Sequence, residues 1–455
     1  MGLKTSAAIG MCHASYKAMR ALGRTGHALP GRLAMLLDRN IVRHLSEGHH
    51  AVMITGTNGK TTTTHMVQQA IINTFGSAAY DPSSTNLEQG IATTLCLDST
   101  ISGARKSDWA VIESDEGATK LLLPATLPQV LVVTNLYRDQ VDRYPTWTTA
   151  RDYIIEAIKK SPNTTLVLNA DCQVTASIAS AVPNKVVWFG MECAPYDEGI
   201  ADFDERVDCI KCGAPLAFTR RSFAHLGAFT CSNCGYAHHA ADIACVAIND
   251  KQEKSCTLTL CVHNREITVP VNVRAGYDVY NAVAAFAALT TLGLPENQIC
   301  EALGHFKHAA HRFEIFDVEG TQTRLLLMKN TAGANQLLNM LASEENVPTN
   351  LVYLLGNQVM DGIYTDWVRG VHWEKLLRPE TRAIIGGPCY QDLRESLLAA
   401  GFAEDALSVE TDYAALVDKI GAMNEPVTVI ANCSTVEDLR LELVKRYKPI
   451  DYWNE

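Results

Sequence analysis

The chain has 455 residues, 47% of them hydrophobic and 20% charged, and a formal charge of −11. At roughly 150 residues per domain, this length allows about three domains, each able to bury its own core. The ordinary globular composition excludes fibres and disordered scaffolds, the acid excess disfavours binding to a nucleic-acid backbone, and no apolar run nears the roughly 20 residues that span a bilayer.

In chain order, Ile9, Cys12, Tyr16, Met19 and Leu22 recur at helical spacing with Lys17, Arg20 and Arg24 between them. This predicts a basic amphipathic helix, whose plainer reading is a helix packed on the domain that follows. Strand-like and helical segments then alternate at 51–55, 62–74, 109–113, 130–134, 153–160, 165–169 and 186–190, which predicts an α/β fold with a parallel sheet under helices. The segment 256–273 reads as a hairpin turning at Asn264-Arg265, and an alanine-rich helix follows over 280–292. A second βα series has strands at 325–328, 351–355, 383–385 and 427–430. It ends in a helix from about Ser434, where Ser434 and Glu437 have capping-box spacing.

The apolar run Val52 to Thr55 is followed by Gly56-Thr57-Asn58-Gly59-Lys60-Thr61-Thr62. A strand, a glycine turn and a helix start aim backbone N–H groups and a helix N-terminus at an anion. Gly56 and Gly59 permit close approach, Lys60 can neutralise β and γ phosphates, and the Thr61 hydroxyl can reach a magnesium ion. The match is to GxxGKT only, because Ile54 stands where the longer phosphate-loop pattern has glycine. Glu113-Ser114-Asp115-Glu116 follows a strand end, where carboxylates can hold magnesium against a triphosphate.

Of the 14 cysteines, Cys209-x2-Cys212 and Cys231-x2-Cys234 form two CxxC pairs. That spacing predicts a zinc ribbon whose four thiolates close the coordination shell, so the metal is structural. The ten scattered cysteines suit a reducing compartment better than a disulfide framework.

The stretch TGTNGKTTT resembles the ATP loop of the Mur ligases and folylpolyglutamate synthases, which join carboxylates to amines through an acyl phosphate. The resemblance implies that Glu113, then Glu116, bind magnesium. It further implies that Asn281, in Tyr280-Asn281-Ala282, starts the helix that reaches adenine, and that Arg312 is a nucleotide-contacting arginine at a domain hinge. Thr134-Asn135 through Tyr144 is similar to a second motif of the family, except that Gln140 replaces its usual histidine. A neutral carbonyl there weakens the case for a second metal.

With the inserted ribbon and Lys329-Asn330-Thr331-Ala332-Gly333-Ala334-Asn335-Gln336, the chain resembles one branch of that family, the MurT ligase subunits of lipid II isoglutaminyl synthase. This implies an N-terminal helical segment at 1–48, a central ATP-binding domain at 49–312 with the ribbon at about 205–240, and a Rossmann-like C-terminal domain at 313–455. It also implies ATP and magnesium as cofactors and a bacterial cytoplasmic protein at the inner face of the membrane. The implied reaction is amidation of the D-glutamate α-carboxylate of lipid II to D-isoglutamine. Ammonia would come from a GatD-like glutamine amidotransferase partner, and the membrane would be met peripherally through the lipid substrate. Asp361, with Asp366 in reserve, would complete the partner's Cys-His triad; the pattern departs at Gly370, where an aspartate is expected. Two alternatives stay open: a stand-alone amino-acid ligase, and a nucleotide-binding module that has lost catalysis.

Overall fold

The computed structural model describes residues 2–22, 26–81, 85–137, 143, 144, 146, 148–195, 206–252, 254–273, 276–308, 313–358 and 361–450. Helices α1 (Leu3–Ala21), α2 (Ala28–Leu37) and α3 (Ile41–Ser46) lead into β1 (His50–Thr55). There follow α4 (Lys60–Phe75), α5 (Glu88–Leu97), β2 (Trp109–Glu113), α6 (Thr119–Thr126), β3 (Val130–Val133), α7 (Thr149–Lys159), β4 (Thr165–Asn169), α8 (Gln173–Ala179) and β5 (Val186–Met191). The hairpin β6 (Ala217–Phe223) and β7 (Leu226–Thr230) forms a separate two-stranded sheet. Strands β8 (Ile243–Asn249), β9 (Cys256–Val262) and β10 (Arg265–Val271) then return to the first sheet ahead of α9 (Gly276–Thr291) and α10 (Glu296–Gly304).

The first sheet runs β10-β9-β8-β5-β4-β3-β1-β2, with its central strands parallel. Parallel strands buried on both faces read as continuous apolar runs, and Val130-Leu131-Val132-Val133 is buried at every position. Because β1 pairs with β2 on one side and β3 on the other, the order reverses at β1, and loops leaving β1 and β3 flank a crevice. Ala8, Ile9, Cys12 and Ala34 of the N-terminal helices belong to this sheet's core.

The second unit is built from β11 (Phe313–Val318), β12 (Thr321–Leu327), α11 (Thr331–Ala342), β13 (Asn350–Leu354), β14 (Arg382–Gly386), α12 (Tyr390–Ala399), β15 (Leu407–Val409), α13 (Tyr413–Gly421), β16 (Val427–Ala431), α14 (Cys433–Arg446) and β17 (Pro449–Ile450). Its order is β15-β14-β13-β16-β12-β11-β17, and the parallel strands β12, β16 and β13 end side by side.

Several sequence expectations shift. Helix α4 starts at Lys60 and not at residue 62, and α9 starts at Gly276 and not at 280, because glycines end the preceding loops as readily as they interrupt a helix. The β9–β10 turn is His263-Asn264, one residue early; both adopt positive φ, 47° and 66°, as a two-residue hairpin requires. Strand β12 begins at Thr321, since it pairs along its whole length with β11. The expected capping box fails: α14 has Asn432 at its N-cap with no side-chain cap bond, and the Ser434 N–H is taken by Asp361.

Candidate active site

The loop after β1 is held by the end of β3. The Thr57 N–H donates to the Asn135 carbonyl (2.8 Å), while the Asn58 carbonyl accepts from Thr134 Oγ1 (2.7 Å) and Asn135 Nδ2 (3.0 Å). The approach demands glycine twice: a Cβ on Gly56 would stand 2.3 Å from Thr134 Oγ1, and one on Gly59 would stand 2.0 Å from Asn281 Oδ1. Gly59 also has φ of 84°, which carries the chain into the first turn of α4. The N–H groups that open a helix are left without intrahelical acceptors, so this turn can serve as an anion cradle.

Side chains converge on this cradle from the ends of β1 and β2 and from α9. Lys60, 6% exposed, donates to the carbonyls of Gly56 and Thr57 and lies 3.5 Å from the Glu116 carboxylate. Thr61 Oγ1 donates to Glu113 Oε1 at 3.0 Å, and Glu113 is the last residue of β2, in register with Ile54 of β1. A hydroxyl and two carboxylates beside a phosphate cradle are the donor set a hard divalent cation takes. Thr62 lines the same cavity, and Asn281 reaches it from α9, with its amide donating to Asp278 (3.0 Å). Arg312 and Gln140 lie outside the described residues.

Sequence reasoning assigned no role to Arg143, although it falls in the quoted motif. Its guanidinium grips Asp115 with two bonds (3.0 and 2.7 Å), and Tyr144 adds a third (2.7 Å). Burial raises the Asp115 pKa, but these partners outweigh it and hold the carboxyl below its usual range.

A cavity of about 980 Å³ separates this wall from the second sheet, whose side is lined by Lys329, Gly333, Gln336, Asn357 and Gln358. The two walls touch through a reciprocal amide pair: Asn330 Nδ2 donates to Asn58 Oδ1 (3.0 Å), and Asn58 Nδ2 donates to Asn330 Oδ1 (3.4 Å). Asn330 Oδ1 also caps α11 by accepting from the Gly333 N–H (2.9 Å). No sequence signal announced this contact, which joins residues 272 apart.

Asp361 is held from within its own unit. It is 7% exposed, and its two oxygens accept from the backbone N–H groups of Ser434 (2.9 Å) and Gln358 (3.1 Å). A carboxylate so committed anchors its loop on the N-terminus of α14. Asp366, in a short 3-10 turn, is exposed.

The four ribbon cysteines gather as their spacing predicts, with all sulfurs within 4.8 Å of one another. Cys209–Cys234 and Cys212–Cys231 are 3.7 and 3.5 Å apart. Tetrahedral zinc with ligands at about 2.3 Å needs sulfurs about 3.8 Å apart, so the set fits that ion. The ribbon is tied to the first-sheet wall through Asp171, fully buried just after β4. Arg220 (3.1 Å) and His238 (3.0 Å) reach Asp171 from the ribbon, and Tyr280 reaches it from α9 (2.8 Å), next to the Asn281 that abuts Gly59. His225, at the tip of the β6–β7 hairpin, sits on Cys172 and on the Tyr137 ring; burial pushes its pKa down to about 3 and keeps it neutral.

Comparison with known proteins agrees with this layout. Residues 54–233 match the Mur ligase middle domain, and 327–436 match the MurT ligase C-terminal region. The chain is 29% identical over 413 residues to the lipid II isoglutaminyl synthase (glutamine-hydrolyzing) subunit MurT of Streptococcus pneumoniae, covering 90% of each chain. It is 29% identical to the corresponding Staphylococcus aureus subunit over 83% of this chain and 84% of the other. A pseudomurein peptide ligase type C from Methanothermus fervidus shares the fold, with TM-score 0.64 and 21% identity over 87% of this chain and 79% of that one. With an anion cradle on the first sheet, an asparagine-capped wall on the second and both stretches matched in order, the chain combines a middle domain of the Mur ligase type with a C-terminal region of the MurT type.

Proposed function

We propose that this ligase activates the D-glutamate α-carboxylate in the stem peptide of lipid II, and that ammonia from a separate GatD-like glutaminase subunit completes the amide. The observation that carries the reading is the convergence of Lys60, Thr61, Glu113 and Glu116 on a phosphate cradle facing a MurT-type wall. A carboxylate is a poor electrophile until an oxygen is made a leaving group. Its oxygen attacks the γ phosphorus of ATP and releases ADP; ammonia then attacks the acyl carbon, expels phosphate and loses a proton.

The cradle and Lys60 would take the charge on the transferring phosphoryl group. Thr61, Glu113 and Glu116 are the residues that would hold magnesium, which when bound neutralises triphosphate charge. Asn281 would position the nucleotide from α9. The four cysteines would hold a structural zinc. Asp361 would order the loop at the cavity rim, leaving exposed Asp366 as the carboxylate that meets the partner's histidine.

The test is reconstitution with a glutaminase subunit, lipid II, ATP, magnesium and glutamine. A product whose mass shows hydroxyl replaced by amide, formed only with glutamine or ammonium, supports the reading. ADP release without amidated product, or addition of a free amino acid without the partner, overturns it.

A further inference from the structure

The N-terminal helices carry a surface that the ligase chemistry does not use. Helix α1 is apolar on two sides. Ala8, Ile9 and Cys12 face the core, while Leu3, Ala7, Met11, Ala14, Ala18 and the following Leu22 recur every three or four residues on the opposite side, all exposed. Leu3 is 93%, Met11 45% and Leu22 76% exposed. Lys4 and Lys17, both exposed, border this stripe on either side. Helix α2 packs against α1 and α5 and repeats the pattern: Pro30, Gly31 and Ala34 are buried, while Leu29, Leu36 and Leu37 are exposed with Arg32 among them.

Charge tells what this face suits. The first 48 residues hold seven lysines and arginines against two acids, in a chain whose total is −11. An isolated leucine on a surface needs no explanation, but leucines and a methionine at helical spacing with a basic border have the composition of an interfacial helix. Position agrees. Thr93 Oγ1 of α5 donates to the His27 carbonyl just before α2, and a Cβ on Gly31 would stand 1.8 Å from the Gln89 carbonyl. Helix α5 is led in by Thr85, Asn86 and Leu87, which line the cavity. The leucine-bearing helix thus adjoins the mouth of the cleft.

We propose that the outer faces of α1 and α2 dock on an anionic lipid surface, the leucines and Met11 entering the headgroup region while Lys4, Lys17 and Arg32 meet lipid phosphates. This goes beyond the ligase reading and is measured without nucleotide or peptide substrate, so either can fail alone. For a lipid-tethered substrate, the docking sets the cleft at the depth where the headgroup peptide emerges.

The purified full chain is sedimented with vesicles of phosphatidylglycerol and phosphatidylcholine, and with phosphatidylcholine alone. Binding is expected only to the anionic vesicles, and it should weaken strongly at about 1 M salt, where the Debye length falls to about 3 Å. Met11→Glu with Leu36→Glu, and separately Lys4→Glu with Lys17→Glu and Arg32→Glu, should each weaken it at least about tenfold. Both variants should keep the wild-type melting temperature, because every altered side chain is exposed. Three results overturn the proposal: no vesicle binding by the wild type, binding that neither variant changes, or a dimer or glutaminase complex that Leu36→Glu dissolves. The last would assign the face to a second protein.

Discussion

The two walls of the cleft solve different problems. The first-sheet wall is charged and built mainly from one contiguous loop, with Lys60 and Thr61 meeting Glu116 and Glu113 across two strand ends. The second-sheet wall contacts it through neutral amides, Asn330 and its neighbours, drawn from three separated strand ends. Phosphate binding rests on backbone geometry that one short motif can encode, whereas the facing wall exists only once β12, β13 and β16 lie side by side. The charged wall should therefore carry most of the turnover and the amide wall a smaller, orienting share.

Lys60→Ala is the harshest test of that division. Removing the Lys60 ammonium should lower turnover by about 10³-fold, near 4 kcal/mol of transition-state stabilisation, read as ADP release in the reconstituted complex. Activity within tenfold of wild type would shift the chemistry away from this wall.

Next in size is the ribbon, which braces the charged wall and not the amide one. Cys231→Ser should strongly weaken metal binding, measured by elemental analysis, and cost several kcal/mol locally, on the order of a third of the ~10 kcal/mol a structural zinc supplies. Because Asp171 links Arg220 and His238 to Tyr280, ATP affinity should fall as well. Asp171→Asn should lower ATP affinity with the metal retained. Unchanged affinity in both variants would reduce the ribbon to a separate module.

Asp361 and Asp366 sharpen the comparison from the other side. Asp361→Asn should destabilise the second unit by about 2 kcal/mol, since two backbone N–H groups lose a charged acceptor, while Asp366→Asn should be near neutral in a denaturant titration. In turnover the order should reverse. Asp366→Asn should lose amidation from glutamine and keep amidation from ammonium; if Asp361→Asn shows that split instead, the exposed turn is not the partner's contact. A smaller effect is expected at Asn330→Ala, which removes a neutral amide pair worth about 1 kcal/mol, or roughly fivefold in kcat/KM.

What the sequence disclosed follows the same line. Gly56, Gly59 and Lys60 were legible because a tight turn and a phosphate impose residue types on adjacent positions, and the cysteine spacing was legible because a tetrahedral ion does the same. The parallel sheet was legible from apolar runs such as 130–133. The inward anchoring of Asp361 was not legible because Ser434, one of its two partners, lies 73 residues further on, and an Asp-Gly pair looks alike whether it faces inward or outward. Ser434 and Glu437 had the spacing of a capping box, but a distant carboxylate took the N–H that the box would have served. Local chemistry can be read along the chain; competition for the same hydrogen-bonding group cannot.

The smallest expected effect concerns acid. Within the charged wall, Asp115 is buried, which raises its pKa, yet Arg143 and Tyr144 bring it below the usual carboxylate range. A carboxylate with a lowered folded-state pKa stabilises the fold above its unfolded value, about 3.9, and that contribution is lost as pH falls through the folded value. Arg143→Gln leaves the burial and removes the main compensation, so Asp115 should titrate above the usual range and destabilise the variant most near neutral pH. The stability gap between wild type and variant should thus shrink as pH drops below the carboxylate range. Arg143 is 37% exposed, so solvent screens the pair and the gap stays small. Denaturant midpoints from pH 3 to 7 decide it, and a gap that is constant with pH would show that Arg143 acts by packing and not by charge.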